Sequence, residues 1–138
     1  MRNLITSIAL MMTIATPAMA QDSGSTLQEL MSTLNGKAAM IFQGMVYEDF
    51  DLIADSAVWV YDHGKPTNMG KVVKVLGADM AEFKRVDRIV HDAAIAIVAS
   101  AKVKDLDSIA DNYAIMSRNC IACHQQFRDR VREVTSED

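Results

Sequence analysis

Residues 106–127 read LDSIADNYAIMSRNCIACHQQF, and the spacing of their apolar positions decides the fold. Leu106, Ile109, Tyr113, Met116, Cys120, Cys123 and Phe127 follow one another at alternating steps of three and four residues. Side chains at those steps share one face of an α-helix, and an unbroken seam of them is the a/d pattern of helices packed side by side. The stretch is therefore predicted as a long helix within a bundle, opened by Asp105-Leu106-Asp107 and continuing to about Val131. Both cysteines occupy core positions of it.

The same helix carries the chemistry. Cys120-Ile121-Ala122-Cys123-His124 is C-x-x-C-H, the attachment signature of a c-type haem. Two thiols three residues apart can add across the two vinyl groups of one porphyrin, and the histidine beside the second supplies the proximal nitrogen to the iron. A redox dithiol of thioredoxin type would need a strand leading into the motif, and nothing strand-like precedes Cys120. The expectation is one covalent haem c, held by Cys120 and Cys123 with His124 as proximal ligand. Both cysteines are then used, leaving none for a disulfide.

Upstream, the pattern is helical nearly throughout. Ser25 with Gln28 and Thr26 with Glu29 are two overlapping capping boxes. Leu27, Met31, Leu34, Ala38, Ile41 and Met45 then share one face, which predicts a first helix ending near Met45. A second begins at Asp49 and presents Phe50, Ile53, Ala57, Val60 and Tyr61. Gly64 is expected at its C′ position, with Pro66 blocking continuation. Gly64 to Gly77 is the long connection, with a helical turn preferred over a strand for Lys71 to Leu76 because no second strand exists to pair with it. A third long helix is predicted from about Ala78 to Val103. The fold class is all-α, an antiparallel four-helix bundle with haem inserted near one end.

Arg2, the apolar run Leu4 to Thr16 and the small-x-small end Pro17-Ala18-Met19-Ala20 have the layout of a secretory signal. The run is too short to span a bilayer. The expected division is a signal peptide over 1–20 and a haem domain over 21–138, with cleavage leaving Gln21 first and the mature protein in the periplasm, free of the membrane. With Arg2 removed, 13 Lys and Arg face 18 Asp and Glu, a charge of about −5 against −4 for the whole chain. That argues against nucleic acid and anionic membranes as partners and suits a redox protein with a basic docking patch.

Four amphipathic helices, a longer connection between the second and third, and C-x-x-C-H near the end together resemble the cytochrome c′ family, the class II c-type cytochromes. The likeness is closest in the second half, where Gln125-Gln126-Phe127-Arg128 follows the haem histidine in the family's manner. It implies a left-handed antiparallel bundle and a periplasmic, non-enzymatic haem protein. Relatives often dimerise through their first two helices, which makes a homodimer a candidate that the sequence leaves open.

The resemblance leaves the sixth iron site open. Some members keep an apolar side chain there and bind nitric oxide or carbon monoxide; others use methionine and carry electrons. Leu27-Gln28-Glu29-Leu30-Met31 matches the family's early first helix, with Gln28 three residues before the distal position, which puts Met31 on it. Leu27 stands where members commonly have a basic residue. Geometry agrees independently: Met31 lies about 10 Å into the first helix and His124 about 13 Å before the end of the last, so antiparallel packing brings them to similar heights. A thioether opposite histidine raises the reduction potential. The alternative is that Met31 is a flexible core filler.

His91, on the third long helix, is a second candidate distal ligand, with a helix-boundary role as the blander alternative. His63 suits the C-terminal end of the second helix. Trp59 and Phe50 read as core or dimer-interface residues, and Arg128, one turn beyond His124, as a candidate haem contact. No acid–base pair or second cofactor motif accompanies the iron ligand, so the expectation is a non-enzymatic carrier with Met31 and His124 on the iron. The alternative is a five-coordinate gas-binding cytochrome.

Overall fold

The structure, a computed structural model, describes residues 24–135. The signal segment expected over 1–20 and the mature start at Gln21 lie outside the described residues. Within them the chain is all-α: α1 (Leu27–Tyr47), α2 (Phe50–Tyr61), α3 (Met69–Leu76), a 3₁₀ turn over Gly77–Asp79, α4 (Met80–Lys102) and α5 (Leu106–Thr135). The four longer helices α1, α2, α4 and α5 form the bundle. α4 packs on α2 and α5, α1 packs on α2 and α5, and α3 lies against α5. The described residues contain no helix long and apolar enough to cross a membrane.

Local chemistry sets the helix ends. Of the two overlapping capping boxes the chain uses Thr26 with Glu29. Thr26 Oγ1 accepts from the Glu29 N–H at 3.3 Å, and Glu29 Oε2 accepts from the Thr26 N–H at 2.8 Å. Those donors, the Thr26 backbone first and its hydroxyl second, hold the Glu29 carboxyl below its ordinary range. Gln28 is thereby released from capping and faces solvent. At α5, which Asp105-Leu106-Asp107 is expected to open, Asp105 Oδ1 accepts from the Ser108 N–H at 3.0 Å, an N-cap contact. Between α1 and α2 only Glu48 and Asp49 intervene. Glu48 takes the left-handed conformation (φ 54) and Asp49 caps α2 through Leu52.

Gly44 lets these two helices close. A Cβ there would stand 2.6 Å from Ile53 Cγ1 and 3.1 Å from the Asp49 carbonyl oxygen. Because backbone is one of the obstacles, Gly44→Ala should destabilise the bundle by about 1–3 kcal/mol, the usual cost of overpacking. Urea unfolding checks this, and an unchanged midpoint would show that α1 and α2 can part without cost.

Two expectations need correction. Gly64 does not terminate α2 in a left-handed C′ conformation: Asp62 is the C-cap, its N–H bonding Val58 O, and Gly77 is the glycine with positive φ. Just past this end the His63 ring contacts the Gly64 carbonyl and His91. The long connection also holds more than one helical turn. Met69, Val72 and Leu76 follow helical spacing, and α3 buries Val72 and Leu76 against Leu27, Leu30, Phe127 and Val131. Asn68 ties this segment to α1, its Oδ1 accepting from the Leu27 N–H at 2.9 Å.

The core is divided. One cluster fills the α1–α2–α4–α5 body around Ile41, Ile53, Ala57, Ile97, Ile109 and Met116. The other, around Leu27, Leu30, Val72, Leu76, Phe127 and Val131, closes the end beneath α3. Every position of the α5 seam from Leu106 to Phe127 is buried or half-buried. Trp59 is not core: it is 48% exposed, with Lys37 Nζ 5.2 Å from its ring centroid. Phe50 is half-buried against the first cluster.

Candidate haem site

The two cysteines stand where the core divides. Cys120 packs against the first cluster and Cys123 against the second, both thiols free. One step along α5 separates the two because positions i and i+3 face the same way. Between the clusters open two adjoining cavities of about 130 and 240 Å3. The smaller runs toward the body of the bundle past Leu34, Ala38, Val90, His91, Met116 and Cys120. The larger runs toward the α3 end past Leu27, Gln28, Phe83, Phe127, Arg128 and Arg132. Met31, Asp87, Cys123 and His124 line both.

These walls suit a flat, mostly apolar cofactor tethered by two thiols. The lining is dominated by aliphatic, aromatic and sulfur side chains; of the polar groups, Gln28, Arg128 and Arg132 border the larger cavity, His91 the smaller and Asp87 both. His124 is exposed beside the half-buried Cys123, so its ring is free to turn toward the groove. Arg128 is on the rim of the larger cavity, its Nε 3.1 Å from Asp129 Oδ1. Phe127, buried at the cavity floor, stacks edge-on with Phe83 at 5.6 Å.

Met31 is half-buried in α1 and reaches the same two cavities as His124 from across the bundle. Met31 and His124 therefore border the same space. His91 also lines the smaller cavity, but its Nε2 is 3.2 Å from His63 Nε2. That partnership was not visible in the sequence, and neither was the role of Asp87 as a wall of both cavities. The only signal for Asp87 was its position one helical turn before His91, which puts the two on one face of α4.

Burial raises both thiol pKa values. Cys120 is shifted up chiefly by desolvation, and Cys123 is pushed from 9.0 to about 11 by desolvation first, then by Asp87 and Cys120. Both groups are protonated at neutral pH, so the folded haem-free chain is a poor thiolate nucleophile. The raised values also fix a sign. A protonated Cys123 favours the folded chain up to its unfolded pKa near 9, and this contribution is lost as pH rises through about 11; Cys120 acts in the same direction. Iodoacetamide at pH 8 should therefore alkylate the folded haem-free chain several-fold more slowly than the urea-unfolded chain. Equal rates would show that the thiols are not shielded.

The family model described as cytochrome C′ matches residues 18–128. Comparisons with curated proteins and with solved structures give no match.

Proposed function

The chain belongs to the cytochrome c′ family, and on that premise we propose that it is a periplasmic electron carrier with iron ligated by His124 and Met31. Its cofactor is haem c, which when bound supplies a one-electron ferric/ferrous couple. In this reading Cys120 and Cys123 hold the group through thioethers and His124 gives the proximal nitrogen. Met31 gives the distal thioether, and Arg128 contributes a rim contact. The observation that carries the reading is that Met31 on α1 and His124 on α5 line both of the same two cavities. His91 is the weaker candidate because its Nε2 is engaged with His63.

Thioether ligation would favour the ferrous state and raise the potential, as in electron-transfer cytochromes. The predominantly apolar lining would limit the water that reaches a bound haem. The reading is non-enzymatic, because the sequence carries no second cofactor motif beside C-x-x-C-H. Proposed partners are redox proteins with a basic patch, matched to the acidic chain. A second copy is also proposed, over the exposed Phe42, Val46, Tyr47 and Trp59 of α1 and α2, which sedimentation equilibrium would detect.

A second reading has one observation in its favour. Beyond Met31 the smaller cavity is walled by Leu34, Ala38, Val90 and Met116, an apolar space suited to nitric oxide or carbon monoxide. The ferric absorption spectrum decides between them. A low-spin spectrum with a methionine-to-iron charge-transfer band supports electron carriage; a high-spin spectrum with ready carbon monoxide uptake after reduction sinks it.

A further inference from the structure

His63 and His91 form a paired site that electron carriage does not use. The two residues are 28 apart in sequence, on the exit of α2 and the middle of α4, and their Nε2 atoms stand 3.2 Å apart. The rings meet nearly at right angles, 82°, with centroids 5.1 Å apart. His63 Nδ1 lies 3.1 Å from the Gly64 carbonyl oxygen. A carbonyl can only accept, so His63 Nδ1 carries the proton and its Nε2 offers a lone pair. That is the tautomer of a metal-binding imidazole whose second nitrogen is anchored to a backbone carbonyl.

The spacing fits an ion as well as a hydrogen bond. Two imidazole nitrogens on one tetrahedral zinc, at about 2.0–2.1 Å each, stand roughly 3.3 Å apart. Asp87 is four residues before His91 on the same face of α4, with Oδ1 3.7 Å from His91 Nε2. The i, i+4 arrangement is the one by which a helix brings two ligands to one ion. The His91 and Asp87 side chains are 27% and 46% exposed, so an ion and its waters can reach them. Among the described residues no group of three or more His, Cys, Asp or Glu is already arranged as a metal site. In the contact between the two rings His91 Nε2 is the donor, so metal binding requires its proton to shift to Nδ1; the pair is then a two-imidazole chelate, and a change of Asp87 side-chain torsion would complete it.

We propose that His63 and His91 bind a divalent transition metal ion, Zn2+ in the first instance, with Asp87 as third ligand and water as the fourth. Neutral imidazole and carboxylate are a donor set that zinc accepts. The site uses none of the haem ligands, although His91 forms part of the wall of the smaller cavity and Asp87 of both.

Isothermal titration of the tag-free holoprotein with Zn2+ tests this. The expected result is one ion per chain, with affinity lowered at least about tenfold by His63→Gln or His91→Gln, the scale already reached on losing an outer-shell partner. Asp87→Asn should weaken binding less. His63 lines neither cavity, so His63→Gln should leave the haem spectrum unchanged while zinc binding falls. His63→Cys separates ligation from structure, because a thiolate is itself a zinc ligand and should recover the affinity lost in His63→Gln. No zinc uptake by wild type, wild-type affinity in His63→Gln, or equal loss in the glutamine and cysteine variants would each overturn the proposal.

Discussion

Replacing Cys120 and Cys123 together with alanine should abolish haem retention: protein matured in a host that attaches c-type haem should emerge with the mass of the bare polypeptide. The wild type, by contrast, should keep its haem through acid–acetone extraction and weigh one haem more than its chain. Attachment needs both thiols on one face of α5, and the structure has Cys120 against one core cluster and Cys123 against the other. Stability should fall too, because the groove between the clusters is left unfilled. An enclosed void of the size of the smaller cavity, about 130 Å3, would cost about 3 kcal/mol at roughly 24 cal/mol per Å3. Solvent entry through the open side and partial collapse reduce that figure. Haem retained through extraction by the double variant would show that the cysteines are not the tether, and the reading of the motif would be lost.

What was legible in the sequence is what depends on local periodicity. The α5 seam from Leu106 to Phe127 is buried or half-buried at every position, because steps of three and four residues fix a face whatever the neighbouring helices do. Thr26 with Glu29, Asp49 and Asp105 were readable for the same reason: a cap is a contact over three residues. α3 was underestimated although Met69, Val72 and Leu76 carry helical spacing. Its valines lower helix propensity, and the helix is held by packing on Leu27, Leu30, Phe127 and Val131, residues far away in the chain. The error at Gly64 has a similar origin. A glycine after an apolar run is a good C′ signal, but α2 ends at Asp62, and the next residue, His63, meets His91 in a long-range contact that no local rule contains.

The site divides along the same line. Cys120, Cys123 and His124 are adjacent in sequence and could be read as a unit. Met31 needed the relative level of two antiparallel helices, which helical rise supplies to about a turn. Asp87 needed the angular register of α4 against α5, which is decided by side-chain interdigitation and has no short-range signature. Core methionines at Met45, Met80 and Met116 obscured Met31 further, since a thioether fills irregular space as readily as it ligates iron.

Met31→Ala is the substitution that distinguishes those two roles by the largest margin. With Met31 as distal ligand, the ferric spectrum should pass from low-spin to high-spin, the ferrous iron should take up carbon monoxide, and the reduction potential should fall as the thioether is lost. The truncation should also cost about 2–5 kcal/mol as a core substitution. The lower end applies, because Met31 is half-buried and already borders open space. Met31→Leu is the control. It keeps the volume, should cost under about 1.5 kcal/mol in packing, and cannot ligate iron. High-spin iron in a leucine variant of near wild-type stability assigns the sulfur to the metal. An unchanged low-spin spectrum in Met31→Leu would make Met31 a filler and turn attention to His91, whose Nε2 would have to give up His63 to reach the iron. His91→Ala would then remove the low-spin signal. If the wild type is itself high-spin, no distal ligand is lost in any variant, and the apolar pocket beyond Met31 becomes the functional feature as a gas site.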